Sequence, residues 1–201
     1  MGCSDSKENK SQDLKLKKKD SGAKALGVKI VLLGDAGVGK SSLCQRYINN
    51  TISDNYEVTI GGAYLQKEVT LDSGFKIKLH IWDTGGEERY RAMAPLYYRD
   101  AQAALLVYDV NDSRTFQSLD YWVRELDEKV RDENMVLIIA GNKCDLPGRK
   151  VKEDQVKSFA DNVGIKYFDV SAKTGLNINE LFTELAQQLA KRVGENGHAG
   201  R

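Results

Sequence analysis

Gly34-Asp35-Ala36-Gly37-Val38-Gly39-Lys40-Ser41 decides the fold through its two flanks. Before it runs Val28-Lys29-Ile30-Val31-Leu32-Leu33, which reads as a buried strand, and after it Ser42-Leu43-Cys44-Gln45-Arg46-Tyr47-Ile48 reads as a helix. The segment between them fits G-x-x-x-x-G-K-[ST] in the strand–loop–helix setting that this pattern requires. Its glycines let the backbone close tightly, so that successive N–H groups and the helix N-terminus converge on a phosphate. Lys40 is then placed to meet β- and γ-phosphates, and the Ser41 hydroxyl to ligate Mg²⁺. The pattern implies a mononucleotide site.

Outward from this loop, strand and helix patterns alternate. Strands are expected at residues 63–71, 75–82, 103–108, 135–141 and 166–170, and helices at 115–131, 153–163 and 179–191. That alternation predicts an α/β fold, a six-stranded and mostly parallel sheet with helices on both faces. Ile77, Leu79 and Ile81 share one face of their strand. Asp72-Ser73-Gly74 joins that strand to 63–71 as a hairpin, so one edge strand should be antiparallel. At 201 residues, 41% hydrophobic and 29% charged, the chain can bury one core but hardly two. A net charge of +1 gives no general preference for polyanions, and no nucleic-acid partner is expected. No run approaches the ~18 apolar residues of a membrane span. Cys3, Cys44 and Cys144 show neither metal spacing nor a disulfide framework, which fits a reducing compartment. His80 and His198 read simply as a strand residue and a tail residue.

The base is indicated at two further strand ends. Asn142-Lys143-Cys144-Asp145 follows the apolar run Val136-Leu137-Ile138-Ile139-Ala140-Gly141, at the carboxyl end where open α/β sheets bind ligands. The Asp145 carboxylate can accept from both N1–H and the 2-amino group of guanine. Adenine has neither donor and would leave it desolvated and unpaired, a penalty of about 1–3 kcal/mol. Ser171-Ala172-Lys173 follows Tyr167-Phe168-Asp169-Val170, and the Ala172 N–H is expected at guanine O6.

A phosphate loop, N-K-x-D and S-A-K in this order resemble the small GTPase superfamily. The resemblance makes Asp83-Thr84-Gly85-Gly86 its D-x-x-G motif, with Asp83 holding Mg²⁺ through water and the Gly86 N–H reaching the γ-phosphate. Thr59, nineteen residues after Lys40, falls where the superfamily places a mobile Mg²⁺-ligating threonine. Its loop, residues 49–62, is then expected to order with γ-phosphate and Mg²⁺. Metal ligands implied are Ser41, Thr59 and Asp83. Nucleotide contacts implied are Gly34, Asp35, Ala36, Gly37, Val38, Gly39, Lys40, Ser41, Ser42, Tyr56, Thr59, Gly86, Asn142, Lys143, Asp145, Ser171, Ala172 and Lys173.

Within the superfamily, Thr59-Ile60-Gly61-Gly62-Ala63-Tyr64, Trp82-Asp83-Thr84, Glu88-Arg89-Tyr90 and Ala94-Pro95-Leu96-Tyr97-Tyr98-Arg99-Asp100-Ala101 resemble the Rab family and its endosomal subgroup. The resemblance covers residues 28–191 and implies a single P-loop GTPase domain at 28–192, a monomer that cycles between GTP and GDP. Its partners would be an exchange factor, a GTPase-activating protein and effectors. An effector-facing aromatic triad maps to Tyr64, Trp82 and Tyr97, which should be partly exposed. Two positions depart from the family. Glu87 stands after Gly85-Gly86 where a glutamine normally orients the attacking water, so Glu87, with Lys40 and Gly86, is the catalytic candidate. Its carboxylate accepts from water but cannot donate to the γ-phosphate. Ile52 stands where most relatives place an aromatic ring against the guanine edge.

Residues 1–27 are Ser-, Lys- and Asp-rich and are expected to be disordered. Met1-Gly2-Cys3-Ser4-Asp5-Ser6 fits M-G-x-x-x-[ST], which marks Gly2 for myristoylation and the adjacent Cys3 for palmitoylation. One myristoyl chain anchors only marginally, and a second signal is available in Cys3 or in the run Lys15, Lys17, Lys18 and Lys19. Rabs typically end in prenylated cysteines, whereas here no cysteine follows Cys144 and 193–201 reads as a flexible tail. The chain thus resembles the N-acylated endosomal Rabs of plants and some protists, peripheral on the cytoplasmic face of endosomes and acting in vesicle trafficking and fusion. Two alternatives stand beside this. Glu87 suggests a hydrolysis-deficient, GTP-locked scaffold. Gly2 and Gly85-Gly86 suggest an Arf-like GTPase of secretory membranes, against which stand the lysine-rich N-terminus and the stretch 94–101.

Overall fold

Residues 25–52, 59–86, 93–130 and 135–198 are described in a computed structural model. In chain order they form β1 (Leu26–Leu33), α1 (Lys40–Asn49), β2 (Gly62–Thr70), β3 (Lys76–Thr84), α2 (Ala94–Tyr98), β4 (Ala103–Asp109), α3 (Ser113–Lys129), β5 (Val136–Asn142), α4 (Glu153–Val163), β6 (Lys166–Asp169) and α5 (Ile178–His198). One six-stranded sheet has the order β2-β3-β1-β4-β5-β6. All neighbours are parallel except the β2–β3 pair at the edge, as the alternation and the hairpin predict.

The central strands carry apolar residues without alternation because both faces are covered. Ile30 and Leu32 point into one core, where Leu79, Leu105 and Ile138 meet Leu43 of α1 and Phe182 of α5. Val31 and Leu33 point into the other, where Leu106 and Ile139 meet Tyr98 of α2, Leu119 of α3 and Val156 of α4. Each such side chain, removed from water, contributes about 1.5–3 kcal/mol. Ile77, Leu79 and Ile81 share the first core, so β3 has the facing expected of it. Tyr47 and Phe182 stack at 3.7 Å and 8°, which ties α1 to α5.

The hairpin turn uses Gly74 at φ 79°, a left-handed conformation that costs glycine little. Leu71 donates its N–H to the Phe75 carbonyl at 2.9 Å and Gly74 to the Leu71 carbonyl at 2.8 Å. Three elements exceed the sequence expectation. Strand β1 begins at Leu26, inside the 1–27 expected to be disordered, because Leu26 and Gly27 pair with Ile77 and Lys78 of β3. The segment 94–98 forms the short α2, with Pro95 in its first turn, where a missing N–H costs nothing. Helix α5 runs to His198, past the 192 at which the domain was expected to end and into the supposed tail. Gly194 and Gly197 do not stop it: each costs about 1 kcal/mol against alanine, and propagation from a packed stretch adds one hydrogen bond per residue. Among the described residues, no helix is long and apolar enough to cross a membrane.

Candidate functional site

A cavity of about 420 Å³ opens at the carboxyl ends of β1, β3 and β5. Its floor is the loop between β1 and α1, in which Gly34, Gly37 and Gly39 all take positive φ. A side chain at Gly34 would place its Cβ 2.1 Å from the Val107 carbonyl, and one at Gly39 would fall 2.3 Å from Asn142 Nδ2. Gly34 is thus set by close approach to the β4 backbone and Gly39 by the Asn142 side chain, whereas Gly37 is set by its φ of 73° alone. Helix α1 begins at Lys40 with no side-chain cap and no acidic residue in its first turn, so its first N–H groups face the cavity. This arrangement favours an anion.

Lys40 is 5% exposed and donates to the carbonyls of Gly34 at 2.8 Å and Asp35 at 2.9 Å. Burial pushes its amine down to about 8, against the pull of Asp83 and Asp35. Asp83, 3% exposed at the end of β3, has its carboxyl pushed up by burial, opposed by the Ser41 hydroxyl and Lys40. Its Oδ1 has no hydrogen-bond partner among the described residues. Ser41 Oγ lies 2.7 Å from Thr59 Oγ1, so residues eighteen positions apart meet at the mouth of the loop. Two hydroxyls and a carboxylate with an unpartnered oxygen make a hard oxygen donor set, which fits Mg²⁺ rather than a soft metal. Gly86 closes this side. A Cβ there would stand 2.5 Å from Lys40 Nζ and from the Asp35 carbonyl, and 2.6 Å from the Ala36 nitrogen.

The other end of the cavity is built from the loops after β5 and β6. Asn142 Nδ2 donates to the Val38 carbonyl at 2.8 Å, which fastens the loop after β5 to the phosphate loop. Asp145 Oδ1 accepts from the Ser171 hydroxyl at 2.6 Å, which steadies the carboxylate at the cavity wall. Lys143 pairs with Asp109 at 2.7 Å and lies along the cavity. The Ala172 N–H, expected at guanine O6, donates instead to Asn142 Oδ1 at 3.1 Å. Its direction is set by the loop-to-loop bond, because a buried N–H takes the nearest acceptor.

The expected residues therefore divide. Ala36, Gly37, Gly39, Lys40, Ser41, Ser42, Thr59, Gly86, Asn142, Lys143, Asp145, Ala172 and Lys173 line the cavity. Gly34, Asp35, Val38, Asp83 and Ser171 stand behind it: Val38 is buried in the core, and Asp35 accepts from Ser118 of α3 at 2.6 Å. Ile52 lines the cavity, as its position suggested, and so do Thr84 and Leu146, which sequence reading missed. Also missed was Arg46 of α1, which donates to the Ala172 carbonyl at 2.8 Å and to the Lys173 carbonyl at 2.6 Å. Tyr56 and Glu87 lie outside the described residues, as do Gly2 and Cys3.

On the edge of the sheet, Tyr64 faces Trp82 across β2 and β3 with centroids 5.4 Å apart, and Trp82 meets Tyr97 at 6.0 Å. Tyr64 is 50% exposed and the other two are half-buried, so the patch is available to a partner as expected. His80 joins it: its Nδ1 lies 2.5 Å from the Tyr64 hydroxyl.

Comparison with known proteins agrees with this geometry. The family model described as "Ras family" matches residues 29–191. "Ras-related protein Rab-5B" of Plasmodium falciparum (isolate 3D7) is 42% identical over 202 aligned residues, covering 97% of each chain. "Putative ras-related protein Rab-5B" of Dictyostelium discoideum is 45% identical over 81% of this chain and 75% of its own. "Ras-related protein Rab-5A" of the same organism is 44% identical over 86% of each. Nothing in these relatives supports the Arf-like alternative. A phosphate loop, a D-x-x-G glycine packed on it and a braced N-K-x-D loop, matched over nearly the whole chain by Rab relatives, place this protein in the Ras family, among its Rab GTPases.

Proposed function

We propose that this Rab GTPase is a GTP/GDP switch of endosomal membranes, binding guanine nucleotide in the cavity described and recruiting effectors when GTP is bound. The observation that carries the reading is Asp145. Its carboxylate lines the same cavity as the uncapped start of α1, with one oxygen steadied by Ser171. The base would stack beside Ile52 and Leu146, with Asn142, Lys143, Ser171, Ala172 and Lys173 shaping its pocket. Tyr56 is assigned to the nucleotide by its place in the sequence.

In hydrolysis, water attacks the γ-phosphorus and the bond to the β–γ bridging oxygen breaks. Lys40 would exchange the carbonyls of Gly34 and Asp35 for β- and γ-phosphate oxygens, which suits an ammonium whose burial leaves it short of counter-charge. The Gly86 N–H would hold the γ-phosphate, and Glu87 would accept from the attacking water. Ser41, Thr59 and Asp83 would hold Mg²⁺, which when bound neutralises charge between the β- and γ-phosphates. Thr59, held beside Ser41 where the metal would sit, would keep Ile60 and the Tyr64–Trp82–Tyr97 patch in the conformation that effectors read.

The domain would run from β1 to α5, residues 26–198, as a monomer, with the acylated tail before it. Gly2 myristoylation, Cys3 palmitoylation and the Lys15–Lys19 run would hold it on the cytoplasmic face. Asp145→Asn tests the base assignment. An amide cannot serve both guanine donors, so GDP affinity should fall by about 1–3 kcal/mol while xanthosine diphosphate gains. Unchanged preference for guanine removes the assignment. Glu87 favours one second reading, a GTP-locked scaffold, and single-turnover hydrolysis by the unmodified protein separates the two.

A further inference from the structure

We propose that a groove at the opposite end of the sheet holds one anionic phospholipid, its acyl chain on an apolar wall and its phosphodiester on Arg192. The inference rests on the reading that the protein works at a membrane. The groove, about 810 Å³, lies between α3, α5 and the starts of β5 and β6, within the ~300–1,000 Å³ common for small-molecule sites. Val130, Met135, Leu137, Val163 and Ile165 form its wall, each only half-buried although apolar.

Charge gives the groove a direction. Arg124, Lys166, Lys191 and Arg192 line it against Asp127 and Glu184. Arg124 is taken by Asp120 at 2.7 Å and Lys166 by Glu184 at 2.6 Å. Arg192 Nη1 is different: it is buried from solvent and has no hydrogen-bond partner among the described residues. A charged donor without water or acceptor is costly, and an anionic oxygen at that point relieves it. An apolar wall ending in a guanidinium with one unpartnered nitrogen fits an amphiphile with an anionic head.

Topology points to a lipid rather than a peptide. The nucleotide cavity is at the carboxyl ends of the parallel strands, whereas the groove is at their amino ends. The chain enters β1 at this same end, so the segment carrying Gly2, Cys3 and the four lysines joins the domain there. Helix α5, which carries Lys191 and Arg192, also ends there. A domain held by its N-terminus on an anionic leaflet presents this end, and with it the groove, to the bilayer.

The test uses the full chain, produced without acylation and loaded with GDP, and monomeric dihexanoyl phosphatidylserine below its micelle concentration, with dihexanoyl phosphatidylcholine as control. Calorimetry and amide NMR shifts read binding. Saturable binding should perturb α5 and the starts of β5 and β6, with phosphatidylserine favoured about tenfold or more. Arg192→Met should lose most of that preference with GDP affinity unchanged, and Val163→Asp should weaken both lipids. Equal binding of the two lipids, no binding, or wild-type behaviour of Arg192→Met overturns the proposal. Tighter binding of an acidic amphipathic peptide than of phosphatidylserine at the same residues also overturns it. Because the probe is a monomer and the protein is unacylated, failure here leaves the N-terminal anchor standing, while the anchor fails by its own measurement, the membrane partition of Gly2→Ala.

Discussion

Replacing Arg46 with methionine should loosen the nucleotide from the far side of the base loop. Arg46 donates Nε–H to the Ala172 carbonyl at 2.8 Å, Nη2–H to the Lys173 carbonyl at 2.6 Å and Nη1–H to the Asn50 carbonyl at 2.9 Å. The first bond is partly buried and the other two are exposed. A hydrogen bond from a charged donor contributes about 1.5–3 kcal/mol, and exposed partners bring that down to well under 1 kcal/mol. Methionine keeps most of the stem's packing, so the loss should total about 2 kcal/mol, or roughly 30-fold in an equilibrium constant. The loop that relaxes contains Ser171, which holds Asp145, and Ala172, which holds Asn142. Release of a fluorescent GDP analogue should therefore quicken by up to ~30-fold, with a lower urea midpoint. Arg46→Lys should recover only part, because one ammonium cannot serve two carbonyls in a fixed fork. If Arg46→Met lowers the unfolding midpoint yet releases GDP at the wild-type rate, the coupling from α1 to the base loop is refuted.

Gly86→Ala should weaken GTP far more than GDP, because a Cβ 2.5 Å from the Asp35 carbonyl forces the D-x-x-G backbone away from the phosphate loop; competition binding of the two nucleotides measures it, and an equal effect on both counts against a γ-phosphate role. Glu87→Gln should change the single-turnover rate of GTP hydrolysis, since only the amide can both accept from water and donate to phosphate; identical rates would show that this side chain never meets the water. Gly2→Ala should release the protein to the cytosol and Cys3→Ser should leave it weakly bound, since a lone myristoyl chain anchors marginally; pelleting of Gly2→Ala with membranes as wild type does would end the N-terminal anchor.

Most of the fold was legible because its signals are local. The glycines and Lys40 of the phosphate loop, the doubly buried run of β1 and the turn at Gly74 depend on residues a few positions apart, and α4 was bounded as observed, Glu153–Val163. Of the site, the residues at strand ends were legible for the same reason: topology fixes where a parallel strand stops, and ligands gather there. The exceptions are instructive. His80 read as an ordinary strand residue because nothing in its neighbourhood announces Tyr64, sixteen positions away, which the hairpin brings to 2.5 Å. Helix α5 outran its expected end because a packed helix tolerates two glycines that punctuate an isolated one.

By itself the sequence determined the order of elements, the phosphate loop, the expectation that Asp145 reads guanine and the candidate acylation site, each a matter of residue type at short spacing. Only tertiary structure decided how those parts are held. Arg46 reaches a carbonyl 126 positions away, Asn142 joins two loops 104 and 30 positions from it, and Asp83 keeps an oxygen unpartnered among the described residues, beside Ser41 and Lys40. The groove at Arg192 likewise assembles from α3, β5, β6 and α5, and has no counterpart in any linear stretch. Such contacts depend on which helices cover which face of the sheet, and long polar side chains take whatever acceptor packing leaves within reach.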